Sequence, residues 1–86
     1  MAAGNFRWNE HNIEHVQKHG CTIEEIESAV TRPRRGYPRK IGDGKFLIVG
    51  RGVGGRVVEV IFVRDPDETI YVIHAQQIST RRRRRK

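Results

Sequence analysis

The feature that most constrains this chain is a change of hydrophobic period at Pro33. Upstream of it, Ile23, Ile26 and Val30 recur at i, i+3 and i+7, opposite Glu24 and Glu27, which predicts an amphipathic helix with one buried stripe. Thr22-x-x-Glu25 marks its start as a capping box, Cys21 and Ile26 stand at the staple positions, and Pro33 ends it. An earlier helix is predicted from about Glu10 to Lys18, capped by Asn9 without a reciprocal box and stopped at Gly20. Phe6 to Trp8 reads as a short strand or as an apolar lead into that helix. Downstream of Pro33 the pattern is that of strands: Lys45 to Val49, Arg56 to Arg64 and Thr69 to Ala75 are rich in Val, Ile, Phe and Tyr, and a weaker basic segment, Arg34 to Ile41, is broken by Pro38. Gly42-Asp43-Gly44, Gly50 to Gly55 and Asp65 to Glu68 supply the turns. Two helices followed by a strand meander predict an α+β fold, with both helices on one face of a three- to four-stranded antiparallel sheet over residues 1–80 and a detachable basic tail at 81–86.

A chain of 86 residues supports one domain whose core stabilises it only narrowly, so a partner chain is expected. No stretch approaches the roughly 20 apolar residues of a membrane span and no export leader is evident, so a cytoplasmic location without membrane attachment is expected. Cys21, the lone cysteine, excludes an internal disulfide and reads as a small buried side chain. Arg81 to Lys86 carry six of the seven net positive charges, leaving a nearly neutral body. Within that body residues 1–30 and 65–80 are net acidic while residues 31–64 are net basic. A basic surface on the strands would attract phosphate by steering and counterion release.

Three patterns bear on chemistry. Gly50, Gly52 and Gly55 match G-x-G-x-x-G, but a dinucleotide fingerprint needs a helix directly after it and a β-branched strand follows, so the segment reads as a hairpin loop whose Arg51 and Arg56 could close on a phosphate. His11, His15 and His19 lie within a helical sector of roughly 80°. Because His11 and His19 would be about 12 Å apart at the backbone, they read as polar-face and helix-end histidines, with a metal site as the weaker alternative. Pairing the last two strands about an Asp65–Glu68 turn sets Phe62 opposite Tyr71 on the face toward the helices and, on the other face, Glu59 opposite His74 and Val57 opposite Gln76. Closing the glycine loop at Val49 and Arg56 brings Phe46 beside Glu59. That face would also carry Ile48, Ile61, Val63, Ile70 and Val72, too apolar for open water, so homo- or hetero-oligomerisation through it is expected.

The segments FRWNEHNIEHVQKHGCTIEEIESAV, KFLIVGRGVGGRVVEVIF and IYVIHAQQIS resemble the BrnT family of bacterial toxins, from Phe6 to about Arg83. The most specific pieces are Trp8-x-x-x-Asn12 with Lys18-His19-Gly20, the hairpin from Gly50-Arg51 to Gly55-Arg56, and the end of the last strand. The resemblance implies a RelE-like fold and a type II toxin. It also implies a metal-independent, cofactor-free endoribonuclease that inhibits translation, neutralised by a cognate BrnA-like antitoxin in a complex that represses its own promoter. His74-Ala75-Gln76 stands where the family usually has Ser-Ala-Arg, and Tyr71 stands where it has an arginine. Transesterification by the ribose 2′-OH needs a base, an acid and cationic stabilisation. Glu59 and His74 are the expected acid–base pair, with Arg51, Arg56 and Arg64 holding phosphate, and Arg51, Arg56, Gln76, Arg81, Arg82 and Arg83 the expected RNA contacts. A non-catalytic nucleic-acid-binding or protein-interaction module is the alternative.

Overall fold

A computed structural model describes residues 5–78. Its elements follow in the order β1 (Phe6–Arg7), α1 (Glu10–Lys18), α2 (Ile23–Thr31), β2 (Arg39–Gly42), β3 (Lys45–Arg51), β4 (Val57–Arg64) and β5 (Ile70–Gln77). The fold is α+β, as expected, but the sheet has five strands in the order β1-β5-β4-β3-β2 and is mixed rather than wholly antiparallel. The short lead segment is the reason. It runs parallel to β5, Phe6 beside Ile70 and Arg7 beside Tyr71, and Ile70 N–H donates to the Asn5 carbonyl at 2.9 Å. The tail residues Arg81, Arg82 and Arg83 lie outside the described residues.

Both helices start on reciprocal side-chain caps. In α2, Glu25 N–H donates to Thr22 Oγ1 at 3.1 Å and Thr22 N–H donates to Glu25 Oε1 at 3.4 Å. In α1, Asn12 closes the same kind of box against expectation. Its side-chain oxygen accepts from Asn9 N–H at 2.7 Å while its own N–H donates to Asn9 Oδ1 at 3.1 Å, the work usually done by Glu or Gln. Ile26, Ala29 and Val30 of α2 pack with Val16, Cys21, Ile48, Val58, Val60, Phe62, Ile70, Val72 and Ala75 into one core.

Two glycines bring α2 close. A Cβ at Gly50 would overlap the Ala29 carbonyl oxygen, and one at Gly52 would lie 2.5 Å from Glu25 Cγ. Gly50 is therefore a strand residue under a helix rather than part of a loop, and β3 extends through it to Arg51. The β3–β4 turn spans residues 52–56, closed by Gly52 N–H donating to the Arg56 carbonyl at 2.8 Å. This corrects the expected register: Phe46 pairs with Phe62, and Val49 with Glu59.

The β4–β5 register is also corrected, in two steps. Glu68 adopts a left-handed φ of 73°, so the turn takes five residues and Arg64 pairs with Ile70 rather than Thr69. A bulge then leaves Ile73 without a partner, since Phe62 pairs with Val72 but Ile61 pairs with His74. Val60 therefore faces Ala75, and Glu59 faces Gln76 rather than His74. Ile48, Ile70 and Val72, expected on the open face, are buried under the helices. By strand alternation the open face carries Leu47, Val49, Ile61, Val63 and Tyr71, all half-buried.

Candidate functional site

α1 follows the outer edge of β5 where β1 leaves off. Asn12 Nδ2 donates to the Val72 carbonyl at 3.0 Å and to the Arg7 carbonyl at 3.1 Å. Further along, Gln77 Nε2 donates to the Gly20 carbonyl at 3.0 Å. Between these two ties the helix presents His15 and His19 to His74, with ring centroids 6.0 Å and 5.6 Å from the His74 ring and 5.1 Å from each other. The rings are inclined by 58–66° rather than stacked. One ring nitrogen from each residue falls within 4.8 Å of the others. His11 takes no part in that cluster. It lines a shallow depression of about 200 Å³ with Asn12, His15, Tyr71 and Ile73.

His74 also neighbours the polar pair of the open face. Gln76 Nε2 donates to Glu59 Oε1 at 2.8 Å. Burial lowers the His74 pKa below its ordinary value, the Glu59 charge opposes that shift, and His19 and His15 add to it. Desolvation disfavours the imidazolium, so the ring is held toward its neutral form. Glu59, Gln76 and His74 thus share one region of the sheet, although the paired residues are Glu59 and Gln76.

The expected arginines do not join them. Arg56 Nε lies 3.2 Å from Glu25 Oε2 on the helix side, beside a carboxylate that is 2% exposed. That oxygen makes no hydrogen bond of acceptable geometry, so the contact is an ion pair by proximity alone. Arg64 lies at the far end of β4, 5.9 Å from the ring centres of Phe46 and Phe62 and 3.5 Å from Glu68 Oε1. Arg51 Nη1 donates to the Gly55 carbonyl at 3.2 Å and points along the glycine turn. Of the three, only Arg51 has the strand parity of the open face, where Lys45 and, through its pairing with Leu47, Arg39 join it.

The profile of the domain of unknown function DUF4258 matches residues 8–77. The chain belongs to that family. The DUF4258 span begins at Trp8, whose Nε1 donates to Glu27 Oε2 at 2.9 Å, and ends at Gln77, so it contains both helices, the histidine cluster and the Glu59–Gln76 pair. No curated protein and no solved structure gives a significant match. No helix among the described residues is long and apolar enough to cross a membrane.

The triad of histidines was only half legible beforehand. The four-residue spacing revealed His15 and His19, but the third member arrives from β5, 55 positions after His19, and its placement depends on the bulge at Ile73.

Proposed function

We propose that this DUF4258 domain is a BrnT-type, RelE-like toxin that acts on RNA at the open face of β4 and β5. The observation that carries the reading is the grouping of Glu59, Gln76 and His74 on that face, within a chain whose sequence resembles the family almost throughout. His74, held toward its neutral form by burial, is the group there suited to accept a proton in the reaction and return it. Glu59, held by Gln76, orients it or shares the proton transfer. Arg39, Lys45 and Arg51 supply positive potential for the phosphate backbone from the neighbouring strands. The half-buried residues Leu47, Val49, Ile61 and Val63 offer the surface on which a BrnA-like antitoxin or a second copy would dock.

Purified protein, kept in chelator, is expected to cleave single-stranded RNA. His74→Ala is expected to reduce turnover by about 10² to 10⁴ while leaving RNA affinity nearly unchanged. Equal cleavage by His74→Ala would remove the acid–base assignment. Binding of RNA without cleavage by the unmodified chain would favour the second reading, a non-catalytic nucleic-acid-binding module. The engagement of Arg56 with Glu25 supports that second reading, because it removes one expected phosphate clamp from the open face.

A further inference from the structure

We propose that His15, His19 and His74 form a binding site for a divalent transition-metal ion, each contributing one ring nitrogen. Helical spacing alone offers His11, His15 and His19, and that set spans too much of the helix for one ion. The structure replaces His11 with a ligand from another element. His15 lies in the last turn of α1, His19 is its C-cap, and His74 approaches from β5.

The ligand nitrogens lie within 4.8 Å of one another, whereas Zn–N bonds of about 2.0–2.1 Å set tetrahedral neighbours roughly 3.4 Å apart. Closing that difference requires movements of about 1 Å, which the exposed rings of His15 and His19 supply by small side-chain rotations. His74 is half-buried in the sheet, so it is the fixed point toward which the other two close.

The donor set identifies the class of ion. Three imidazoles with no carboxylate or thiolate among them suit Zn²⁺, Cu²⁺ or Ni²⁺, and do not suit Mg²⁺ or Ca²⁺, which prefer oxygen ligands. Glu59, whose carboxylate is fixed by Gln76, places a negative charge in the same region of the sheet as His74, which favours a cation there. Three protein ligands also leave a coordination position for water or another small ligand, as in zinc sites that are not purely structural.

An ion here would join the C-terminal end of α1 to β5. It would also engage a nitrogen of His74, so under the RNA-cleaving reading proposed above, the loaded form lacks its free acid–base group and is the resting form. That regulatory consequence rests on the RNA reading. The metal site itself does not.

The test uses the full chain without an affinity tag, titrated with Zn²⁺ by calorimetry and followed by thermal melting. Saturable binding of one ion per chain is expected, with a rise in melting temperature that EDTA reverses, and no response to Mg²⁺. His74→Ala and the exposed His19→Ala should each weaken Zn²⁺ binding by about a hundredfold or more, since even outer-shell changes cost about tenfold to a hundredfold, while His11→Ala should change it by less than about twofold. Because His19 is exposed, its replacement leaves the fold intact and keeps the test decisive if His74→Ala fails to fold. Absence of saturable Zn²⁺ binding, or a loss on His11→Ala equal to that on His19→Ala, overturns the site. An RNA assay run with and without Zn²⁺ separates the two proposals. Zinc binding with no cleavage in either condition sustains the site and removes the ribonuclease reading.

Discussion

The two helices lie against the same sheet but are held to it by different means. α2 buries Ile26, Ala29 and Val30, and its backbone sits directly on β3 because Gly50 has no side chain. α1 buries one aliphatic residue, Val16, and one amide, Asn12, whose hydrogen bonds reach β1, its own N-cap and β5. Apolar burial is non-directional and follows area, so α2 is fixed by shape. Hydrogen bonds are directional and costly to leave unmade, so α1 depends more on directional bonds, those of Asn12 near its start and that of Gln77 to the Gly20 carbonyl just past its end. The helix with the smaller apolar grip is also the one that carries the histidines, which makes α1 the element whose attachment a bound ligand would most readily strengthen.

The sharpest break of this contrast is Gly50→Val. Its side chain would have to displace the α2 backbone at Ala29, and overpacking that cannot relax is expected to cost about 3 kcal/mol or more. Urea denaturation would measure the loss, and a well-folded variant of unchanged midpoint would show that α2 is not seated on that glycine. Asn12→Ala should follow at about 2–3 kcal/mol, because it strands the Asn9 N–H and withdraws the donor from two backbone carbonyls. Native-state hydrogen exchange should then show α1 opening while α2 keeps its protection. Equal loss in both helices would mean that the two attachments are not independent.

Thr22→Ala is expected to cost about 1 kcal/mol by removing the N-cap of α2, a loss readable as a shift in the denaturation midpoint without change in slope. The smallest effect belongs to His11→Ala. It lies on the exposed side of α1 and should alter stability by less than about 0.5 kcal/mol, whereas a larger change would assign the depression beside it a structural part in the seam.

The same contrast explains what could be read in advance. The α2 boundary was visible because Thr22, Glu25, Cys21, Ile26 and Pro33 each act on the residues next to them in the chain. The strands of the meander were visible through their period, and the α+β class followed. Asn12 was misread because its reciprocal cap is made by an amide rather than the usual Glu or Gln, and because Val72 is 60 residues away. The registers were missed for local reasons that leave little trace. Glu68 takes a left-handed conformation that glycine or asparagine usually announces, Gly50 looked like loop, and nothing about Ile73 marks it as a bulge. Those slips matter at the candidate site, where they exchange His74 for Gln76 opposite Glu59. The alternation of faces survived on β4, so Glu59 remained on the open side, but on β5 the longer turn moved Ile70 and Val72 into the core, and the bulge returned His74 to the open face.

The parallel pairing of β1 with β5 has a consequence for how the chain folds. The first strand finds its partner in the last, and Asn12 finds its Val72 carbonyl there too, so neither β1 nor the α1 seam can be completed until β5 has been made. Contacts of such long sequence separation slow folding. α2 and the β3–β4 hairpin find their partners within residues 23–64 and do not depend on that closure.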